Sequence, residues 1–254
     1  MIELIFLGTG TSDGVPTIGC DCETCRSENP LDKRLRSSVF YSSEDSKILI
    51  DISPDFRQQA LRHNIRWIDA ILLTHSHYDH IGGLDEIRSI NFIMKKAMPV
   101  YGNEEALNEL KERYSYIFRK TQEGGGKPQV DLNYVYEEDI NINGTIVKPI
   151  KILHGEIPIL GYRIKDFAYI TDASYIPEES LAKLRGLKIL VINALRFEKH
   201  PTHFNLEEAL KVIDILNPEK AYLTHLTHKF LHNRDRKILP ANVEFAYDGL
   251  KLIL

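Results

Sequence analysis

The stretch that decides the fold is residues 75–80, HSHYDH, which directly follows the apolar run AILLT at 70–74. In an extended strand, side chains two residues apart point to the same face, so His75 and His77 face one way as the strand ends. An aspartate and a third histidine follow where the chain turns into the next segment. Imidazole nitrogens with a carboxylate oxygen suit zinc, manganese or iron. The stretch therefore predicts a metal site at a strand-to-helix corner.

Three further polar side chains share one sequence context, because each stands at the end of an apolar strand pattern. His154 follows IKIL, Asp172 follows YIT, and His225 follows AYLT. Any one of them alone would more often be a structural polar residue. A site for two metals needs ligands from outside residues 75–80, and the shared strand-end position favours these three.

Composition sets the class of protein. The chain has 254 residues, with 43% hydrophobic and 27% charged residues, which suits one large domain or two small ones. The net charge of −4 and the absence of a basic stripe argue against non-specific nucleic-acid binding. No apolar stretch approaches the roughly 20 residues of a membrane helix, and the N-terminus lacks the pattern of a signal peptide. We therefore expect a cytoplasmic protein.

The order of the predicted elements indicates the architecture. Apolar runs predict strands in both halves of the chain, such as 145–153 and 220–224, and a helical pattern covers 206–216. Mixed strands and helices of this order predict an α+β fold in which two sheets pack face to face with helices outside. The glycine run at 124–126 breaks the pattern, but strands continue on both sides. We therefore expect a single domain over residues 1–254.

The three cysteines lie within six residues, as Cys20-x-Cys22-x-x-Cys25. An odd and clustered set does not suit a disulfide framework, whereas thiolates gathered on a metal fit it well. Zinc held by three cysteines and one histidine is a closed, structural type of site. His228, three residues after His225, could supply the fourth ligand.

The ligand pattern resembles the metallo-β-lactamase superfamily. The similarity comprises H-x-H-x-D-H, the later His154, Asp172 and His225, and the flanking stretches FLGTG at 6–10 and YDG at 247–249. It covers nearly the whole chain. The resemblance implies a four-layer αββα sandwich with a dinuclear metal site at one edge. It does not determine the substrate, because this fold serves many hydrolyses.

The resemblance also implies roles for the ligands. One metal would be bound by His75, His77 and His154, the other by Asp79, His80 and His225, and Asp172 would bridge them. The two catalytic divalent metals would be zinc or manganese, with iron as a further option. Two such metals can share a hydroxide at neutral pH, and Asp79 would also orient it.

Within the superfamily, the cysteine loop at about 15–36 resembles that of the phosphoribosyl 1,2-cyclic phosphate phosphodiesterase branch. The coenzyme pyrroloquinoline quinone B proteins have a similar loop. In the phosphodiesterase branch the fourth zinc ligand matches His228, which implies one structural zinc in addition to the catalytic pair. This zinc would hold the loop beside the strand that carries His225 and would help to shape one wall of the site.

The same branch suggests residues that act on the substrate. A histidine 22 residues before the metal-binding histidine acts at the scissile phosphate there, and His203 stands in that position here. His200 is the second candidate for the leaving group, and it could instead bind substrate. Arg36 and Ser38, just after the cysteine loop, could contact the phosphate or a leaving sugar.

These residues predict a metal-dependent phosphodiesterase that hydrolyses a small cyclic or nucleotide-like phosphodiester, and the resemblance suggests a homodimer. An endonuclease trimming the 3′ end of transfer RNA is an alternative, although residues 119–130 are too short for its RNA-gripping arm. A lactone or thioester hydrolase is another alternative. His203 argues against it, because this histidine favours phosphoryl chemistry. A redox or metal-sensing protein is a fourth possibility, and the complete set of metal ligands argues against it.

Overall fold

The computed structural model describes residues 1–120 and 126–254, and within these ranges the strands form two sheets of seven strands each. In chain order the strands are β1 (Glu3–Gly8), β2 (Ser38–Ser42), β3 (Lys47–Ile50), β4 (Ala70–Leu72), β5 (Met98–Gly102), β6 (Val130–Tyr134), β7 (Ile140–Ile142), β8 (Thr145–His154), β9 (Ile157–Ile164), β10 (Phe167–Ile170), β11 (Ile189–Asn193), β12 (Lys220–Thr224), β13 (Val243–Phe245) and β14 (Lys251–Ile253). The glycine run at 124–126, where the sequence predicts a break, falls mostly outside the described residues.

The helices lie between the strands in the chain order. They are α1 (Glu23–Arg26), α2 (Phe56–His63), α3 (Tyr78–Ile81), α4 (Ile87–Met94), α5 (Glu104–Arg113), α6 (Ser115–Phe118), α7 (Glu178–Lys183), α8 (Leu206–Leu216) and α9 (His232–Asp235). Short 3₁₀ turns cover Pro30–Asp32, Leu84–Glu86 and Arg236–Ile238. Local chemistry fixes several boundaries: α8, for example, begins at a capping box in which Asn205 and Glu208 satisfy each other's backbone N–H groups.

Both sheets are mixed, and both expose the ends of parallel strands on the same side of the molecule. The first has the order β14-β1-β2-β3-β4-β5-β6, with β3 to β6 parallel, and the second has the order β13-β12-β11-β10-β9-β8-β7, with β10 to β13 parallel. The Tyr162 hydroxyl of β9 donates to the Leu73 carbonyl at 2.6 Å, just beyond β4, and so joins the two sheets beside their carboxyl ends.

The core consists of three apolar layers. The central layer lies between the sheets and includes Phe6 and Tyr41 from the first and Tyr162 and Tyr169 from the second. A second layer joins the outer face of the first sheet to α2, α4 and α5, and a third joins the outer face of the second sheet to α7 and α8. The order helix, sheet, sheet, helix confirms the predicted αββα sandwich.

Close backbone contacts hold the segment 75–83 against the first sheet. The Ile52 N–H donates to the His80 carbonyl at 2.8 Å, and the Gly83 N–H donates to the Ile52 carbonyl at 2.9 Å. A Cβ atom at Gly83 would lie 2.1 Å from the Ser53 carbonyl oxygen, so only glycine permits this approach. The glycine therefore holds α3, with its two ligand candidates, against the end of β3.

Candidate metal centre

The structure brings the seven candidate ligands to the carboxyl ends of strands in both sheets. His75 and His77 follow β4, His154 ends β8, and the other candidates follow β10 and β12 or lie in α3. Their ligand atoms form two groups, each with all members within 4.8 Å of one another. The groups are His75, His77, His154 and Asp172, and Asp79, His80, Asp172 and His225.

Asp172 belongs to both groups, and its two carboxylate oxygens face different partners. Its Oδ1 lies 3.2 Å from the His225 Nε2, and its Oδ2 lies 3.7 Å from the His75 Nε2. Two ligands that each stand about 2.1 Å from one tetrahedral metal are roughly 3.4 Å apart, so these separations are those of co-ligands. A carboxylate in this position can join two metal sites.

Backbone strain accompanies this placement. Asp51, Asp172 and His225 adopt left-handed backbone conformations, with φ values of 61°, 58° and 56°. For residues other than glycine such conformations cost of order 1–3 kcal/mol each, and they concentrate at functional sites. These three residues follow strand ends, and their conformation turns the chain sharply at the edge of each sheet.

Outer hydrogen bonds fix the tautomers of two histidines. The His154 Nδ1 lies 2.9 Å from the Asp172 carbonyl and 2.8 Å from the Thr202 carbonyl. Because carbonyl oxygens only accept, this nitrogen must carry the proton, which leaves Nε2 free as a ligand. The His80 Nδ1 donates in the same way to the Asp51 carboxylate at 2.7 Å.

Asp51 supports both ligand groups, although sequence reasoning did not identify it. Its oxygens accept from the Thr74 N–H and hydroxyl at 2.8–3.1 Å, and the Thr74 hydroxyl in turn accepts from the His75 Nδ1 at 3.0 Å. Asp51 is fully buried, and burial raises its pKa, which His80 opposes. The available signal was its position directly after β3, the same strand-end context that identified Asp172.

The charge states of His75 and of the two carboxylates suit metal binding. Burial, reinforced by neighbouring His80, holds the pKa of His75 well below its ordinary value, so this imidazole is neutral. Burial alone would raise the pKa of Asp79, but His80 and a hydrogen bond from His225 bring it below its ordinary value. Burial also opposes ionisation of Asp172, but His225 and His80 hold its pKa well below the usual range. Burial opposes protonation of His80, but Asp79, Asp172 and Asp51 raise its pKa well above the ordinary value, so metal binding there must release a proton. Neutral imidazoles and ionised carboxylates are the forms that bind metals.

Two buried imidazole nitrogen atoms without hydrogen-bond partners in the described part of the chain indicate where cations can bind. The Nε2 atoms of His75 and His80 are buried and have no hydrogen-bond partner among the residues that the structure describes. Burial without a partner is costly for such groups, and a bound cation removes that cost. Five imidazoles and two carboxylates, at these separations, thus fit two divalent metals.

The three cysteines meet the predicted histidine more than 200 residues later in the chain. The Sγ atoms of Cys20 and Cys25 lie 3.3 and 3.5 Å from the His228 Nδ1, and Cys22 belongs to the same group. Zinc–ligand distances of about 2.3 Å for sulfur and 2.05 Å for nitrogen place tetrahedral co-ligands roughly 3.6 Å apart, so the geometry fits zinc. Burial raises the pKa of the Cys25 thiol to about 11, so metal binding there must release its proton.

His203 lies at the metal centre, and His200 lies behind it. The His203 Nε2 is 3.2 Å from the Asp172 Oδ2, and its ring stands 4.6 Å from that of His154. On the other side, the His203 Nδ1 contacts the Thr202 hydroxyl at 2.9 Å and the His200 Nδ1 at 3.2 Å. His203 therefore lies against the carboxylate that both ligand groups share, whereas His200 lies on the far side of His203.

The structure does not bring Ser38 to the surface of the site. Ser38 is fully buried, and its hydroxyl donates to the Asp51 carbonyl at 2.8 Å, so the expected contact with substrate is corrected to a role in supporting Asp51. The Arg36 guanidinium is partly exposed, but its Nη1 binds both carboxylate oxygens of Asp55, at 2.9 and 3.1 Å.

A cavity of about 270 Å³ adjoins the first ligand group. His75, His77 and Ser76 line it on one side, and Glu109 and Arg113 of α5 line the other. The Ser76 hydroxyl donates to Glu109, which also accepts from Arg113. Sequence reasoning did not identify this chain of contacts, which ties the histidine segment to α5.

Comparison with known proteins identifies the class. Residues 46–226 match the family described as β-lactamase superfamily domain. The chain belongs to this superfamily. Among solved structures it is similar to a diphosphatase of the PhnP family, at 44% identity and a TM-score of 0.93, over 99% of this chain and 96% of the other. This similarity confirms the branch that the sequence resemblance indicated.

Two other relatives are less similar to this chain in sequence. Zinc-bound PqqB from Methylobacterium extorquens has the same fold, at 19% identity and a TM-score of 0.79, over 99% of this chain and 100% of the other. An octanoyltransferase from Porphyromonas gingivalis is 42% identical over 100% of this chain. The chain spans only about half of that relative's length, 52%. In the described part of the chain, no helix combines the length and apolar character needed to span a membrane.

Proposed function

We propose that the chain hydrolyses a small phosphodiester, cyclic or nucleotide-like, at a dinuclear metal centre. The observation that carries this proposal is the position of His203, whose Nε2 lies 3.2 Å from the shared carboxylate of Asp172. A proton donor at that place serves a reaction at phosphorus in which an oxygen leaves. The 44% identical diphosphatase supports the proposal, since its name also describes cleavage of a phosphorus–oxygen bond.

The ligand sets follow from the two groups. We assign His75, His77 and His154 to the first metal and Asp79, His80 and His225 to the second, with Asp172 between them. Zinc and manganese suit these donors, and iron is compatible. When bound, the metals would supply an activated water at neutral pH and would neutralise charge on the phosphoryl oxygens.

The chain's own residues would perform the remaining steps. Asp79 holds its carboxylate ionised beside His80 and His225, so it can orient the attacking water as well as bind metal. His203 would hydrogen-bond the phosphate or protonate the leaving oxygen. His200 and the Thr202 hydroxyl contact the far nitrogen of His203 and so restrict the orientation of its ring.

The cysteine group would bind a structural zinc. We propose that Cys20, Cys22, Cys25 and His228 hold it and that the loop at 15–36 is thereby fixed to the end of β12. In this proposal residues 1–254 act as one hydrolase domain, which associates as a homodimer. Light scattering of the purified chain, together with a metal count, tests both statements.

Two alternatives have specific support. The short form of human tRNase Z shares the fold at 18% identity and a TM-score of 0.69, which supports the fold and not the substrate. The octanoyltransferase relative favours acyl chemistry, but about half of its length has no counterpart in this chain. We therefore rank thioester hydrolysis second.

A substrate panel tests the proposal. Bis(p-nitrophenyl) phosphate, cyclic and linear alkyl phosphodiesters, a nucleoside diphosphate, an octanoyl thioester, a lactone and a precursor transfer RNA are each assayed with zinc, manganese or iron. We expect turnover of phosphodiesters. Cleavage of the thioester or lactone without any phosphodiester turnover would overturn the proposal, and selective cleavage of the transfer RNA would favour the nuclease.

A leaving-group comparison tests the role of His203. Because an alkoxide needs a proton to leave and p-nitrophenolate does not, His203→Gln should lower kcat for alkyl phosphodiesters by roughly 10²–10⁴-fold and for the p-nitrophenyl ester far less. His63→Gln is the matched control, since His63 lies at the end of α2. Equal losses for both leaving groups would contradict protonation of the leaving oxygen.

A further inference from the structure

The side chain of Arg34 is among the largest that are fully buried, with 1% of its surface exposed. Arg34 closes the cysteine loop, because its backbone N–H and carbonyl both pair with Val15, at 2.8 Å each. The loop between these two residues therefore begins and ends at one point, and the guanidinium projects from that point into the protein. A buried arginine is costly unless its donors find partners.

The partners of Arg34 are backbone carbonyls on both sides of His228. Its Nη1 donates to the Thr227 carbonyl at 3.3 Å, and its Nη2 donates to the Phe230 carbonyl at 3.0 Å. Thr227 comes only two residues after His225. The planar fork of arginine can bind two carbonyls at once, whereas the ammonium of lysine is a point charge on a flexible stem.

Charge explains why a cation stands here. Asp32 Oδ1 lies 3.7 Å from the Arg34 Nη2, and Asp32 also accepts from the His232 N–H at 2.7 Å and the Ser27 hydroxyl at 2.6 Å. Zinc with three thiolates and one neutral imidazole carries a net charge of −1. The guanidinium therefore offsets negative charge from both Asp32 and the cysteine group.

A second tether holds the same segment from the other side. The Leu226 N–H donates to the Thr9 carbonyl at 2.9 Å, and the Thr11 N–H donates to the Leu226 carbonyl at 3.3 Å. The segment 225–230 is thus held between the loop after β1 and the Arg34 fork. The Thr227 N–H and hydroxyl also donate to the Leu195 carbonyl, at 3.1 and 2.8 Å, so loss of the fork weakens the link between this segment and the cysteine loop without freeing the segment.

We propose that Arg34 is a positioning residue that couples the structural zinc site to the second catalytic metal by fixing the backbone between His225 and His228. The proposal rests on the metal assignments of the proposed function. It does not depend on which substrate is cleaved. Through Arg34, an ordered cysteine loop places the His225 imidazole, and loss of that order weakens the metal that His225 binds.

The experiment is a double-mutant cycle read by metal affinity. Arg34→Lys, Cys22→Ser and the double variant are titrated with a chelator, and each catalytic metal equivalent is counted by mass spectrometry. Arg26→Lys, an exposed change in the same loop, is the control. We expect Arg34→Lys and Cys22→Ser each to weaken one catalytic metal by about 10–100-fold and to leave the other unchanged. The double variant should bind that metal no more weakly than Cys22→Ser alone, because both changes break one connection.

The coupling would be refuted if Arg34→Lys bound both catalytic metals with wild-type affinity. It would also be refuted if the losses of metal affinity in the two single variants multiplied in the double variant. If Arg34→Lys does not fold, Asp32→Asn takes its place, since it removes the charge that faces the guanidinium, and the same selective loss is required. A wild-type chain with two metals instead of three would refute the structural zinc. Absence of phosphodiester turnover with the coupling intact would refute only the proposed activity.

Discussion

Replacing Asp51 with asparagine should weaken binding of both catalytic metals, and the second more than the first. Asparagine has nearly the same shape and tolerates the left-handed backbone, so the fold should persist. Three donors converge on the Asp51 carboxylate, namely the Thr74 N–H, the Thr74 hydroxyl and the His80 Nδ1–H. The asparagine amide group cannot accept from all of them, because one of its two positions is itself a donor.

The structure indicates which of the two metals loses more affinity. With the asparagine oxygen facing Thr74, its NH₂ group faces the His80 Nδ1, which must then give up its proton. That proton moves to Nε2, the buried atom that lacks a partner among the described residues and would bind metal. Loss of such an outer contact typically costs 10–100-fold in metal affinity, or about 1.4–2.8 kcal/mol. His75 is supported only indirectly, through the Thr74 hydroxyl, so its metal should lose less.

Chelator competition, followed by activity at saturating metal, measures both effects. Asp45→Asn is the control, because Asp45 is exposed in the turn between β2 and β3. Activity that returns at high metal concentration would support a role in ligand orientation. Unchanged affinity for both metals in Asp51→Asn would refute the assignment of the His80 tautomer on which the reasoning depends.

Three further predictions concern other parts of the molecule. Asp79→Ala should abolish hydrolysis while circular dichroism shows an intact fold, and an active variant would contradict its assignment. Cys22→Ser should lose one metal equivalent and lower Tm, with two metals retained at saturating concentration, as metal analysis and calorimetry would show. Burial raises the pKa of Asp248 to about 7, so the folded state binds more protons than the unfolded one between about pH 4 and 7, and stability falls as pH rises through that window. Asp248→Asn should remove up to about 4 kcal/mol of this pH dependence, and an unchanged slope of unfolding free energy against pH would contradict the raised pKa.

The ligand set could be predicted because it follows local rules. A strand pattern has a period of two, and the polar residue at its end sits at the sheet edge, so the shared position of His154, Asp172 and His225 made them candidates together. The grouping of Cys20, Cys22 and Cys25 was equally local. Asp51 obeys the same rule, and it was missed because a single aspartate after a strand has many structural uses.

Element boundaries show the limit of local patterns. The stretch 104–118 predicts one helix, but the structure ends α5 at Arg113 and begins α6 at Ser115. Ser53 and Pro54 suggest a helix start, yet α2 begins at Phe56, and Ser53 is used inside the protein, where its hydroxyl donates to Gln59. The Ser53 hydroxyl also accepts from the Asp55 N–H, which forms a local turn just before α2.

By itself the sequence predicted the αββα class, the candidate metal ligands at the strand ends and the cysteine group, because each depends on residues that are neighbours in the chain or on a recurring pattern. Only the tertiary structure decided which side chains support them. Asp51 meets His80 across 29 residues, and Arg34 meets the Phe230 carbonyl across 196. Such pairings depend on how two sheets and a loop pack in three dimensions, and no local spacing in the chain encodes them.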